Sequence, residues 1–407
     1  MSRTATVVGA GPAGLMAAEV LVDAGFAVHV YEHMPSAGRK LLLAGRSGLN
    51  LTHAEPLDQL LGRYGAAPKV TAAVRAFTPD DLRAWAAELG ASTFVGSTGR
   101  VFPTEMRATP LLRAWLARLT AAGVQLHTRQ RWIGWAAAST APTLVFRTPD
   151  GATAEVSSDV VVFALGGATW PRVGSDGGWA DTFRTAGVDV RPLRASNCGL
   201  LVSWSPRFVD AHAGAPLKNV AVGVRDHWVR GDVTITAEGV ESGPVYTQSA
   251  AVRDAIDATG TCTVHIDLLP DLPVADVVAR LGRRRPKDSL TNTLRRTLGL
   301  SPVAVAFLRE ATGNELPVES EPLAALVKGV PLVITATAGI DRAISSAGGI
   351  ALADVTDGFM LRSLPGQFVA GEMLDWDAPT GGYLLQASFS TAVAAARAAT
   401  AWVDDRD

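Results

Sequence analysis

Glycines at positions 9, 11 and 14, followed by an acid at 32, are the residues whose types and spacing first imply chemistry in this chain. Gly9-Ala-Gly-Pro-Ala-Gly14 reads G-x-G-x-x-G, with Pro12 and Ala13 between its last two glycines. Apolar Val7-Val8 before it is the end of a buried strand. Leu15 to Ala24 after it carries apolar residues at helical spacing, and Ala27 to Tyr31 reads as a second strand. In that setting Gly9 makes a tight turn, Gly11 lets backbone approach a pyrophosphate, and Gly14 lets helix and strand pack closely. The helix start aims unpaired N–H groups and the positive end of its dipole at the phosphates. Glu32 falls where a carboxylate accepts hydrogen bonds from a ribose. The expectation is a dinucleotide site.

Later segments lengthen that site. The apolar run Asp159 to Leu165 ends in Gly166-Gly167, and Gly366 to Ala370 ends in Gly371-Glu372. Both are strand ends with room for a ligand, where open α/β sheets bind theirs. One nucleotide-binding half suffices for NAD; three glycine-bearing strand ends suit the longer FAD. Gly381-Gly382-Tyr383 opens a long alanine-rich helix, Leu384 to Val403, whose start is a candidate for the flavin's electron-rich edge. Arg39 and Lys40 are candidates to neutralise the pyrophosphate or to sit beside the flavin, or else solvated loop charges. Asn50, Thr52 and His53 lie in a loop placed to cover the flavin ring; His53 is a candidate acid or base. Tyr246, in Gly243-Pro-Val-Tyr-Thr-Gln248, is a second candidate for the substrate side, with packing as the plain alternative.

The elements that must position these residues exceed one core. At 407 residues, two or more domains are expected. The fold class is α/β: a Rossmann-like FAD-binding domain interrupted by an inserted β-barrel-like domain with a helical subdomain. Residues 1–190 and 343–407 form the discontinuous first domain, and 191–342 the insert, with helices at about 271–328. Within the first domain, Thr78-Pro79-Asp80-Asp81 caps one helix and Pro110 to Ala122 forms another. The insert reads β-rich to about Thr261, then as short helices at Leu272–Arg283, Ser289–Leu298, Pro302–Ala311 and Pro322–Lys328.

The totals exclude several classes. Net charge is −2, so nothing global recommends a polyanion. Arg283-Arg-Arg-Pro-Lys287 with Arg295-Arg296 is the basic concentration; without interleaved aromatics it reads as a solvated face, and no nucleic-acid partner is expected. Cys198 and Cys262 form no C-x-x-C, which excludes a disulfide-reductase centre and a cysteine metal site; no metal is expected. Glu19 and Asp23 interrupt what would otherwise imitate a secretion signal, and no run of eighteen apolar residues occurs. A cytoplasmic chain without a membrane span is the expectation.

Several segments together resemble the bacterial BaiN/YhiN-like NAD(P)/FAD-dependent oxidoreductases, also labelled aminoacetone oxidase-like. They are the glycine fingerprint, Gly38-Arg-Lys40, Asn50-Leu-Thr52, Gly99-Arg-Val-Phe-Pro103, Ala164-Leu-Gly-Gly167, Ser346-Ala-Gly-Gly349, Gly371-Glu-Met-Leu-Asp375 and Thr380-Gly-Gly-Tyr-Leu-Leu-Gln386. The resemblance implies FAD, a barrel-and-helix insert, and Gly371-Glu372 along the ribitol and pyrophosphate with Glu372 accepting hydroxyl hydrogen bonds. One departure stands out. Where that family carries Gly-Arg-Cys-Asn, this chain has Ser47-Gly48-Leu49-Asn50, so no role for the thiol carries over. The expected activity is an FAD-dependent oxidation or reduction of a small molecule docked between flavin and insert, with NAD(P)H as a candidate transient reductant. An FAD-linked tRNA-modifying enzyme and a non-catalytic flavin-holding redox or partner protein are the alternatives.

Overall fold

The computed structural model describes residues 3–45, 48–136, 142–285 and 287–406. Ser47 of the departing motif and Pro286 of the basic run lie outside them. The chain divides into two compact units: Met1–Arg194 with Ser345–Asp407, and Ala195–Ile344.

Unit 1 is built on a five-stranded parallel sheet. Its order is Gln367–Val369, Val160–Phe163, Thr4–Val8, Ala27–Glu32 and Gln125–Thr128. The central strands are apolar on both faces, as a sheet covered by helices requires; Val7, Val30, Val162 and Val369 are fully buried. Pro12–Asp23 follows the first strand as a helix and packs on the final helix, Tyr383–Asp404. A buried Glu19 anchors the first helix outward. It accepts from the indole N–H groups of Trp85 (3.1 Å) and Trp115 (2.5 Å) and pairs with Arg118 at 2.8 Å. Burial pushes its carboxyl up against those favourable partners. The helix Pro79–Glu88 starts with a reciprocal cap between Thr78 and Asp81. The next helix runs Ala108–Ala121, two residues ahead of the proline that signalled its start. Pro110 has no N–H to donate, and the helix's first turn needs none from it.

The chain leaves unit 1 along Val190–Ser196 and returns along Ser345–Ile350, which pair as a two-stranded sheet. Unit 2 is a six-stranded antiparallel sheet. Leu200–Leu201, Gly239–Glu241, His227–Ile235, Pro216–Val224, Cys262–Asp267 and Val330–Ile334 follow one another across it. A bridge from Leu200 to Thr337, just past the last strand, brings the two edges together. This is the barrel-like closure that removes free edges. Four helices, Val274–Leu281, Leu290–Thr297, Pro302–Ala311 and Ser320–Val327, fall between its last two strands. A 17-residue helix, Gly243–Thr259, occupies part of the stretch expected to be β-rich. Its buried face includes Gln248 and Ser249 beside Val245 and Val252, so the apolar periodicity that marks a helix is broken. Gln248 Nε2 is satisfied by the carbonyls of Val222 and His227, and Ser249 Oγ by that of Tyr246.

Candidate functional site

The turn after the first strand divides three tasks among three glycines. Gly9 has φ +103°, and a Cβ there would lie 2.4 Å from the Ala164 carbonyl oxygen. A Cβ on Gly14 would lie 1.8 Å from the Gly9 carbonyl oxygen. Both positions are closed by the protein's own backbone. Gly11 differs: a Cβ would meet nothing within 4 Å, although the residue lines a cleft. No side chain caps the helix that starts there. The middle glycine therefore leaves space and donors for something that is not protein.

Ala164, Leu165 and Gly166, together with Ala370 and Glu372, line the same cleft as the turn. Pro12, Ala13, Glu32, Arg39 and Lys40 line it as well. Glu32 accepts from the backbone N–H groups of Ala10 (2.9 Å) and Met34 (2.8 Å), which hold its carboxylate at the mouth of the turn. Lys40 and Glu372, 332 positions apart, meet at 2.7 Å, and the second oxygen of Glu372 accepts from the Ser346 N–H at 2.8 Å. The Ser346 hydroxyl in turn accepts from the Ala168 N–H at 2.8 Å. Gly167 lies behind this network; a Cβ there would come within 2.3 Å of Ser346 Oγ. Gly371, at φ +74°, faces Ala13 of the first helix. It is pinned by the Thr391 hydroxyl accepting from its N–H and by the Trp376 indole donating to its carbonyl.

A second hollow shares Gly9, His33, Leu165 and Gly174 with the first and extends the groove past Tyr31 to Gln130, Trp132 and Trp179. The result is an elongated groove along the carboxyl ends of the parallel strands. Three buried polar atoms of residues lining the cleft, His33 Nε2, Arg39 Nε and Ser175 Oγ, have no hydrogen-bond partner. Buried polar groups are normally satisfied, which marks these three residues as candidates to bind a polar occupant of the cleft. A dinucleotide fits on length, on the open middle glycine and on these donors. His33 and Ser175 carried no motif by themselves, and Ser346 stood only at the start of a segment quoted for the family resemblance; His33 was discoverable only as the neighbour of Glu32.

The remaining expected residues gather elsewhere in unit 1. Gly382, at φ +97°, presses on the Thr52 backbone, where a Cβ would lie 2.5 Å from the carbonyl carbon. Gly381, at φ +137°, has the Tyr383 ring beside it. That ring stacks on His53 at 5.3 Å, and burial together with the Glu55 carboxylate pushes the Tyr383 hydroxyl above its ordinary range. Arg63 forks onto Glu55 at 3.1 and 2.7 Å. The Tyr383 ring thus packs on His53 with its hydroxyl hydrogen-bonded to the Glu55 carboxylate, while its helix start meets the 50–53 loop. Within that loop Asn50 Oδ1 and Thr52 Oγ1 are buried without partners. Both ring nitrogens of His53 are engaged: Nδ1 accepts from the Glu55 N–H at 3.1 Å and Nε2 lies 3.0 Å from the Thr98 carbonyl. Proton transfer by His53 would require one of these bonds to break. Tyr246 belongs to unit 2, half-buried, with its hydroxyl pushed up to about 12 by burial and the nearby Glu241 carboxylate. Cys198 and Cys262 are buried. Among the described residues no cluster suited to a metal ion occurs, and no helix is long and apolar enough to cross a membrane.

A Rossmann-type parallel sheet with a glycine turn, a paired acid and an extended groove defines a dinucleotide-binding architecture. More particularly, residues 3–398 match the family model described as HI0933-like protein Rossmann domain, and the chain belongs to that family. It is 26% identical to a 3-dehydro-bile acid delta(4,6)-reductase of Clostridium scindens, across 97% of this chain and 98% of the relative. It is 24% identical to a ribosomal RNA dihydrouridine synthase of Haemophilus influenzae, across 96% of each. Its fold is similar to that of a 3-ketosteroid delta1-dehydrogenase from Sterolibacterium denitrificans, with TM-score 0.53, 12% identity, and coverage of 98% and 100%.

Proposed function

We propose that this chain is an FAD-dependent oxidoreductase that reduces a carbon–carbon double bond conjugated to a carbonyl, with NAD(P)H as the source of electrons. The observation that carries the cofactor is the groove: an open Gly11, Glu32 at its turn, and partnerless His33, Arg39 and Ser175 atoms along it. Gly11, Pro12 and Ala13 would face the pyrophosphate, Glu32 a ribose, and the Lys40–Glu372 pair the sugar-alcohol chain. FAD, when bound, supplies the two-electron transfer; the protein binds, orients and excludes water. Support for the reaction class comes from the two curated relatives. One is named a reductase of a dienone steroid and the other a synthase of dihydrouridine; each name describes saturation of a ring double bond beside a carbonyl.

The test begins with the absorption spectrum of the purified protein. Bound flavin, bleached anaerobically by NADH or NADPH and recoloured by a cyclic enone faster than by buffer, supports the proposal. A colourless, folded protein that refuses added FAD defeats it. Bleaching reversed by oxygen alone would favour an oxidase. A second reading keeps the reaction and makes the substrate a base within RNA; the exposed basic segment of unit 2 favours it.

A further inference from the structure

In unit 2 the connection between helices Val274–Leu281 and Leu290–Thr297 concentrates positive charge. Positions 280–296 hold seven Lys or Arg and one acid, Asp288, whereas the rest of unit 2 holds eight bases and fifteen acids. The structure adds what composition does not carry. Arg284 turns back to the Asp288 carbonyl at 3.1 Å, and Arg296 lies 3.8 Å from the Asp288 carboxylate. Arg280, Arg283, Arg285, Lys287 and Arg295 are exposed, and among the described residues none has an acidic partner. Helix dipoles account for Arg280, Arg295 and Arg296, which sit in last turns where cations are favoured. They do not account for Arg283, Arg285 and Lys287 in the connection.

We propose that this face docks the phosphate backbone of a structured RNA. Beside the basic residues Leu281, Leu294 and Leu298 are buried inward, and the exposed Val274 stands at the opposite, N-terminal end of its helix, so the connection itself offers no anchor for a lipid surface. It also offers no aromatic platform for bases. What remains is a set of unpaired guanidinium forks and one ammonium, which match repeated phosphates and carry no sequence preference. This deepens the RNA reading of function and rests on it, yet binding is measured apart from turnover. The flavin spectrum and enone reduction report the chemistry; anisotropy reports the surface.

The probe is a fluorescein-labelled RNA hairpin of arbitrary sequence, titrated with the full-length protein from 50 to 200 mM salt. With about five phosphates neutralised, the slope of log K against log salt is expected near −4. Combined Arg283→Ala, Arg285→Ala and Arg295→Ala substitutions should reduce that slope by about two to three and leave flavin content unchanged. Lysine at the same three positions should restore it, and exposed Arg207→Ala with Lys218→Ala should not alter it. Absence of hairpin binding at 50 mM salt overturns the proposal, as does a slope indifferent to the triple variant. Phosphatidylserine vesicles captured by the same residues, without RNA binding, would assign the face to membranes and overturn it equally.

Discussion

A single missing methyl group separates the roles of the glycines. Gly11→Val sends its side chain into open cleft, so folding should survive while flavin content falls at least tenfold; absorbance per folded protein reads this out. Gly14→Ala drives a carbon against the Gly9 carbonyl and should cost about 1–3 kcal/mol, measured by urea unfolding of the apo form. Equal losses of stability in both variants would sink the assignment of Gly11 to the ligand. Lys40→Met removes the cation 2.7 Å from Glu372, a pair largely withdrawn from solvent. Its expected signature is weaker FAD retention, recovered in part by Glu372→Gln, which no longer needs neutralising. Retention unchanged in Lys40→Met would place the pair outside the cofactor's reach.

At the level of elements, capping chemistry makes its own prediction. Thr78→Ala removes one half of a reciprocal cap and should cost about 1 kcal/mol. The Thr78 hydroxyl and N–H hold the Asp81 carboxyl below its ordinary range. Its contribution is therefore full above the ordinary carboxylate range and disappears as pH falls through the depressed value. Melting curves of wild type and variant should converge on acidification; a gap that widens would refute the sign. Such local devices were legible in sequence, because a cap, a glycine turn or a proline at a first helical position is written within a few residues. The Gly243–Thr259 helix was less legible, since Gln248 and Ser249 occupy its buried face. The Lys40–Glu372–Ser346 network was not legible as a set. Lys40 and Glu372 were separate candidates and Ser346 opened a family-like segment, but the three lie on a helix, a strand and a turn far apart in sequence that only the tertiary fold brings together.

For the molecule as a whole, the nucleotide-binding architecture followed from the fingerprint and from the return of glycine-bearing strands late in the chain. The substrate did not follow, because loops without a shared motif face it. Cofactor linkage offers a global test. At a free FAD concentration a hundred times its Kd, the native state gains about 2.7 kcal/mol, so the melting temperature should climb with added FAD. FMN, which lacks the adenosine half that Glu32 and the Gln130–Trp132 end of the groove would hold, should raise it far less. Equal shifts by both would remove the dinucleotide from the account.

The sheet's edge strand Gln367–Val369, and Glu372 just beyond it, have a consequence for biosynthesis. A ribosome that has made only the residues before Gly366 carries the Gly9–Gly14 turn without Ala370 and Glu372, which line the same cleft. The nascent polypeptide is expected to emerge pale and to take up its pigment only after Glu372 and the helix Tyr383–Asp404 clear the exit tunnel. Stalled chains ending before Gly366 should accordingly retain no yellow colour, whereas chains extended by a tunnel-length tail should.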